Sequence, residues 1–173
     1  MASLILGAIW MWFSAVPAGA TTGGKIPAPQ QGFLAPDFTL STPEGEAYSL
    51  SDLRGQAVLI NLWASWCRPC RAEMPAMQRI YEEYHSFGFE ILAVNVTNQD
   101  SIPAAVAFAE EYGLEFPILL DLDGVVSRDY LLRALPSSFF VNRDGVIEEV
   151  VIGGPMAEAL LRIRVEQLIG AAQ

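Results

Sequence analysis

Both cysteines of the 173-residue chain, Cys67 and Cys70, lie in the run NLWASWCRPCRAEMP, residues 61–75. Two cysteines at this spacing could form a structural disulfide, bind a metal ion or exchange electrons as a redox-active dithiol. A structural disulfide is disfavoured, because closing so short a loop removes little entropy from the unfolded chain. A zinc site normally needs four ligands, and the chain has a single histidine to add. Cu(I) binding by two thiolates stays open as an alternative, but the pattern favours a redox dithiol.

The residues before the dithiol indicate which thiol reacts first. The apolar run AVLINLW, residues 57–63, predicts a buried strand, and a helical pattern begins at Arg68. Cys67 would then lie at the N-terminus of a helix, where free N–H groups and the helix dipole stabilise a thiolate. Cys70 would lie one turn further on and be more shielded. We therefore expect Cys67 to be the nucleophile and Cys70 to resolve the mixed disulfide.

Charged and rigid side chains surround the two thiols. Arg68 and Arg71 add positive charge close to Cys67. Pro69 suits the first helical turn, because the N–H that proline lacks would have no partner there. Glu73 is a carboxylate three residues after Cys70. It could raise the thiol pKa by charge repulsion and carry the proton that exchange requires, or it could be an ordinary solvated residue.

Strands and helices alternate around this motif. Two short strands flank a turn at Thr42–Gly45, and later strands are predicted at 57–63, 89–97 and 116–121. Helices are predicted at 68–87, 101–113 and 125–132. A hairpin is expected within 137–154, followed by a closing helix at 155–170 whose apolar face would hold Met156, Leu160, Ile163 and Ile169. This order predicts a parallel sheet covered on both faces, with an antiparallel edge from the hairpin.

The distribution of charge along the chain bears on the location and the partners of the protein. No charged side chain occurs from Ala2 to Thr22, so residues 1–22 are expected to be a transmembrane anchor or a cleaved signal peptide. Residues 23–32 predict a flexible linker, and residues 33–173 a globular domain. Either leader would export the domain to the outer face of the cytoplasmic membrane. The net charge of −10 argues against a nucleic-acid partner.

Longer motifs resemble a known family. WASWCRPC is similar to the active-site run of the thioredoxin superfamily. The segments APDFTL, DLRGQAVLINLWASWCRPCRAEMP, EILAVNV and LPSSFFVNRDG resemble the membrane-tethered TlpA/ResA-like thiol-disulfide oxidoreductases, over about residues 33–170. The resemblance implies a thioredoxin-like α/β fold with a central mixed sheet, helices on both faces and an N-terminal hairpin. It also implies an inserted helix within 98–113.

The resemblance also implies roles for single residues. Pro136 matches the cis-proline that faces the dithiol, and Leu135 would offer backbone hydrogen bonds to an extended substrate. Trp66 would belong to the apolar surface that faces the substrate, together with Arg68 and Pro69 beside the thiols. In this family an acidic residue at the position of Glu73 is associated with proton handling. A departure is Asn61, which stands where minimal thioredoxins have a buried aspartate.

The family's activity would be the reduction of disulfides in exported proteins, with apocytochrome c as a frequent substrate class. Electrons would come from a membrane donor, and the Cys67–Cys70 disulfide would be the only redox group, without a metal or cofactor. Two alternatives remain. A peroxiredoxin-like peroxidase shares APDF and DLRGQAV, although Ala64 occupies the position where those enzymes usually have threonine. A Cu(I) chaperone would use the same two thiols without catalysing exchange.

Overall fold

The computed structural model describes residues 26–170. The predicted anchor or signal peptide, residues 1–22, and the first part of the predicted linker lie outside this range. Within 26–170, no helix is both long enough and apolar enough to cross a membrane.

The strands form a hairpin and a five-stranded mixed sheet. They are β1 (Thr39–Ser41), β2 (Ala47–Ser49), β3 (Ala57–Trp63), β4 (Phe89–Asn95), β5 (Ile118–Leu120), β6 (Ser137–Val141) and β7 (Ile147–Ile152). β1 and β2 pair antiparallel, and the large sheet has the order β5-β4-β3-β6-β7. β3, β4 and β5 are parallel, whereas β6 and β7 add an antiparallel edge. The predicted mixed sheet and both hairpins are confirmed.

Four α-helices connect and cover the strands. They are α1 (Arg68–Tyr84), α2 (Ile102–Tyr112), α3 (Val125–Asp129) and α4 (Glu158–Gly170), and short 3-10 turns occur at Leu50–Leu53, His85–Phe87 and Thr97–Gln99. α2 begins as predicted, because Ser101 Oγ accepts a hydrogen bond from the N–H of Ala104 at 3.3 Å. It ends at Gly113, whose φ of 60° is the left-handed conformation that glycine adopts readily.

β3 is buried along its whole length and lies between two apolar layers. Leu59 and Trp63 face the layer formed with α1, α2 and α4. Ile60 and Leu62 face the opposite layer, which includes α3 and the residues packed from the N-terminal hairpin. Burial on both faces explains why this strand reads as a continuous apolar run. It also fixes the position of the residues that follow Trp63, including both cysteines.

The predicted apolar face of the closing helix is confirmed at two of its four residues. Met156, just before α4, is buried, and Ile169 packs against the core. Leu160 and Ile163 are 44% and 50% exposed, and the buried residues of α4 are Leu161, Val165 and Leu168. Apolar side chains occur on every side of α4, so their spacing does not single out the face that packs on the sheet. Tertiary contacts decide which face of α4 is buried.

Candidate active site

The dithiol lies where β3 leads into α1. Cys67 and Cys70 are joined by a disulfide. Cys67 is the N-cap residue of α1, and its Sγ accepts a hydrogen bond from the N–H of Cys70 at 3.2 Å. Cys67 is 4% exposed and Cys70 has no exposed surface. The geometry therefore places the two sulfurs in the predicted order of accessibility, with Pro69 in the first helical turn.

Asp100 forms hydrogen bonds that hold the loop leading to Cys67. Its carboxylate accepts hydrogen bonds from the N–H and Oγ of Ser65 at 2.6 and 2.7 Å, and from Asn95 and the N–H of Ser101, both at 2.9 Å. Partial burial, the largest single influence, acts to raise the pKa of Asp100, but these hydrogen bonds together lower it below its ordinary value. Sequence reasoning missed Asp100, although an acidic residue directly before an N-cap serine was a usable signal.

Trp66 is held beside the dithiol by the same region of the chain. Its Nε1–H donates to the carbonyl oxygen of Gln99 at 2.9 Å, and 58% of the residue remains exposed. The indole therefore has a fixed position and a free apolar face, as the predicted contact surface for substrate requires.

Glu73 is completely buried on α1, so it is not a solvated surface residue. Its two oxygens accept hydrogen bonds from Asn61 Nδ2 at 2.9 Å and from the N–H of Met156 at 3.0 Å. Burial raises the pKa of Glu73, and the hydrogen bonds from Met156 and Asn61 oppose this to a smaller degree. Both partners are neutral, so neither compensates the charge when this carboxyl ionises. Asn61 also donates to Ser138 Oγ at 2.9 Å.

The predicted cis-proline is present. The Leu135–Pro136 peptide bond is cis, and Pro136 is buried at the start of β6. Gly154 packs against both Pro136 and Glu73: a Cβ built there would lie 2.8 Å from Pro136 Cγ and 3.0 Å from Glu73 Oε2. A side chain at this position would therefore disturb the buried carboxylate and the proline together. Nothing in the local sequence marks this close approach.

An open cleft of about 570 Å³ lies beside Cys67. Four of the predicted substrate-binding residues line it, namely Trp66, Arg68, Pro69 and Leu135. The fifth, Pro136, is buried directly after Leu135. The cleft also includes residues that sequence reasoning missed, namely Gln99, Leu132, Arg133 and Ala134. They come from segments that fold back over the dithiol from elsewhere in the chain, and nothing in their local sequence marks them.

Arg71 was expected to add positive charge close to Cys67, but it pairs with α2 instead. Its guanidinium binds Glu111 Oε1 at 2.9 Å and lies 5.1 and 5.3 Å from the ring centres of Phe108 and Tyr112. Arg71 therefore joins α1 to α2, and Arg68 is the arginine that lines the cleft next to Cys67. Within residues 26–170, no group of three or more His, Cys, Asp or Glu residues could hold a metal ion.

Comparison with known proteins agrees with this geometry. The family model described as "AhpC/TSA family" matches residues 32–150. The thioredoxin-like protein YneN of Bacillus subtilis is 43% identical over 125 residues, which are 72% of this chain and 72% of YneN. The chain belongs to the AhpC/TSA family. The thiol-disulfide oxidoreductase ResA of Geobacillus kaustophilus is 39% identical over 131 residues, which are 76% of this chain and 74% of ResA.

A solved structure supports the same assignment within the AhpC/TSA family. A thiol:disulfide interchange protein from Chlorobium tepidum, described as a putative DsbE, superposes with a TM-score of 0.75 and 32% identity. The match covers 82% of this chain and 99% of that one. The predicted thioredoxin-like fold and ResA-like branch are confirmed. The chain is a thiol-disulfide oxidoreductase.

Proposed function

We propose that this oxidoreductase reduces disulfides in exported proteins, with Cys67 as nucleophile and Cys70 as resolving thiol. The Cys67 thiolate attacks one sulfur of the substrate disulfide and expels the other as a thiolate. The Cys70 thiolate then attacks Cys67 Sγ and expels the second substrate sulfur. The products are a reduced substrate and the Cys67–Cys70 disulfide, so two electrons pass to the substrate.

The observation that carries the direction of electron flow is the buried Glu73. It lies three residues after Cys70 on α1, a spacing that places two side chains on the same face of a helix. A carboxylate without a cationic partner disfavours a thiolate beside it. Since stabilising the thiolate is what makes a dithiol protein an oxidant, the opposite environment favours the disulfide and makes the reduced protein a reductant. Glu73 would accept the proton of Cys70 as that thiol attacks.

The finer parts of the proposal rest on the ResA-like character of the chain. The substrates would include apocytochrome c, whose haem-attachment motif contains a pair of cysteines. A thiol-reducing protein of the membrane would regenerate the dithiol. The domain would lie at the outer face of the cytoplasmic membrane, with residues 1–22 serving as an anchor or a cleaved signal. Its substrates would be protein disulfides, and it would not bind nucleic acid.

The redox equilibrium of Cys67–Cys70 with glutathione tests the direction. A reductase is expected to have a potential near that of thioredoxin, about −270 mV, whereas a DsbA-like oxidant lies near −120 mV. A potential above about −180 mV would overturn the proposed reduction. Peroxide consumption by the reduced protein serves as the control reaction. Turnover of peroxide faster than turnover of a protein disulfide would favour the peroxidase instead.

A further inference from the structure

Positive charge is concentrated at the dithiol cleft of an acidic protein. The chain has 20 acidic and 10 basic residues. Arg68 and Arg133 both line the cleft beside Cys67, and no Asp or Glu of the described part of the chain lines it. A neighbouring cavity of about 540 Å³ shares Gln99, Leu132 and Arg133 with the cleft and adds Arg128. Its described lining residues also include no carboxylate. The two cavities form one groove, which we call the arginine groove.

The opposite end of the sheet has the reverse charge. A cavity of about 580 Å³ lies near the start of β4, whereas the dithiol follows the end of the parallel strand β3. Among residues 26–170, its lining includes Glu44, Glu46, Glu90, Glu110 and Glu115 and neither arginine nor lysine. Two cavities of similar size in one domain therefore differ sharply in charge. The cationic one is the cavity that opens on the reactive cysteine.

The two arginines of the cleft are free to pair with a ligand. Four other arginines bind glutamates within the domain, namely Arg71, Arg79, Arg162 and Arg164. Arg68 and Arg133 are exposed, and neither forms an ion pair or side-chain hydrogen bond with any residue in 26–170. An arginine guanidinium presents a planar set of N–H donors that matches a carboxylate.

Apolar side chains line the same groove. Trp66, Leu132 and Leu135 border the cleft, and Leu131 borders the adjoining cavity. Leu131 is 54% exposed and has a φ of 50°. Such a conformation is rare for a leucine, and strained exposed residues concentrate at binding sites. The groove thus combines apolar contact area with unpaired positive charge.

We propose that the arginine groove selects disulfides whose reactive cysteine is flanked by aspartate or glutamate in an extended segment. The side chains of Trp66 and Leu132 contact the segment, and Arg68 and Arg133 bind the flanking carboxylates. This selection rests on the proposed reduction of protein disulfides and adds the class of segment that is preferred. The carboxylate pairing is specific to charge, so it distinguishes acidic from basic segments of equal size.

The test uses the full chain in its reduced form and three disulfide peptides that differ only at the residue beside the cysteine, which is Glu, Gln or Lys. Reduction rates are divided by the rates with dithiothreitol, which removes the intrinsic reactivity of each peptide. The ratio of the second-order rate constant for the Glu peptide to that for the Lys peptide is expected to be about 10 at low salt. At 0.5 M NaCl it should fall to about 2, because exposed charges are screened.

Variants identify the residues responsible. Arg133→Gln should lower the Glu-to-Lys ratio about 3-fold, and the double variant with Arg68→Gln should bring it to about 1. Because Arg68 adjoins Cys67, its replacement changes the rate with every peptide, so the ratio is the readout. Arg79→Gln, at an exposed arginine outside the groove, should leave the ratio unchanged.

The outcomes separate the two proposals. Reduction of all three peptides at equal normalised rates, or a ratio that survives the double variant, would overturn the selection and leave the reductase intact. Reduction of none of the peptides would overturn the proposed function and the selection with it.

Discussion

Cys67 and Cys70 are bonded to each other but have different surroundings. Cys67 caps α1 and borders the open cleft, whereas Cys70 has no exposed surface. We therefore expect a protein disulfide that enters the cleft to meet the sulfur of Cys67 first. The N–H of Cys70 donates to that sulfur, so Cys67 also caps the start of α1.

Replacing each cysteine separately tests this division of roles. Cys70→Ser should attack substrate and stop at the mixed disulfide, because no second thiol can release it. Cys67→Ser should lose disulfide exchange by about 100-fold or more. Non-reducing gels and mass spectrometry of trapped complexes provide the measurement. Trapping by Cys67→Ser and not by Cys70→Ser would reverse the assignment.

Glu73 makes the free energy of unfolding of the domain depend on pH. Burial raises its pKa above the ordinary 4.5, and the hydrogen bonds from Met156 and Asn61 oppose this only in part. The folded state therefore favours the protonated carboxyl. Its contribution to the free energy of unfolding is fully present below pH 4.5 and is lost as pH rises through the folded pKa.

Glu73→Gln should remove this loss of stability. The new amide can be accommodated, because the Oδ1 atom of Asn61 is buried without a hydrogen bond and rotation of the Asn61 amide would present it as an acceptor. Urea unfolding at pH 4.5 and pH 7.5 should show a smaller decrease for the variant than for the wild type. The variant should also release mixed disulfides about 100-fold more slowly, since it lacks the proton acceptor.

The control for this experiment is Glu82→Gln, at an exposed position of the same helix. It should change neither the pH dependence nor the exchange rate. An unchanged exchange rate in Glu73→Gln would mean that the buried carboxyl is structural and does not handle the proton.

Three elements meet at Asp100. The residue lies between the 3-10 turn after β4 and the N-cap of α2, and it binds the loop between β3 and α1. The position of Cys67 at the start of α1 therefore depends on a carboxylate that belongs to another connection. The contact also carries stability, because hydrogen bonds to a charged acceptor are stronger than neutral ones.

Asp100→Asn should lower the free energy of unfolding by about 2 kcal/mol at pH 7, since one acceptor oxygen becomes an N–H donor facing other donors. The low pKa of Asp100 means that its contribution is present above the ordinary 3.8 and is lost as pH falls through the folded pKa. The difference from the wild type should therefore shrink in urea unfolding at low pH.

Asp144→Asn is the matched control for Asp100, because Asp144 is exposed in the β6–β7 turn and its side chain accepts none of the described hydrogen bonds. It should unfold like the wild type at both pH values. A wild-type stability for Asp100→Asn at pH 7 would show that the loop is held by other contacts.

At the scale of the whole molecule, the residues before β1 are part of the folded domain. The N–H of Gly32 donates to the carbonyl of Ile147 at 2.8 Å, and the N–H of Ile147 donates to Phe33 at 2.9 Å. Further upstream, the N–H of Ala28 donates to the carbonyl of Leu34 at 3.0 Å. These contacts reach into the segment that the sequence predicts as a linker. We propose that the domain begins several residues before Phe33.

Two truncated chains test this boundary. A chain beginning at residue 33 lacks the hydrogen bonds of Ala28 and Gly32 and should be less stable than one beginning at residue 26 by about 1–2 kcal/mol. For a domain of this size the Tm should fall by about 3–6 °C. Thermal unfolding followed by circular dichroism gives the comparison. Equal Tm values would place the start of the domain at Phe33.

The sequence by itself determined the features that depend on neighbouring residues. The apolar run before Cys67 predicts β3 with its observed bounds, Ala57–Trp63. Ser101 and Gly113 predict the ends of α2, because a cap acts on the turn next to it. The dithiol and its order of accessibility follow in the same way, since strand, loop and helix are consecutive in the chain. The longer motifs then identified the fold.

Only the tertiary structure decided which distant groups surround the dithiol. Glu73 is buried because its partners, Asn61 and Met156, are brought to it from 12 and 83 residues away in sequence. The same kind of contact turned Arg71 toward α2 and brought Arg133 to the cleft. Burial, pKa and local charge depend on everything packed around a group. The spacing of residues along the chain does not contain that information. The redox chemistry of Cys67 and Cys70 could therefore be predicted from the sequence, whereas the burial and charge of the groups around them could not.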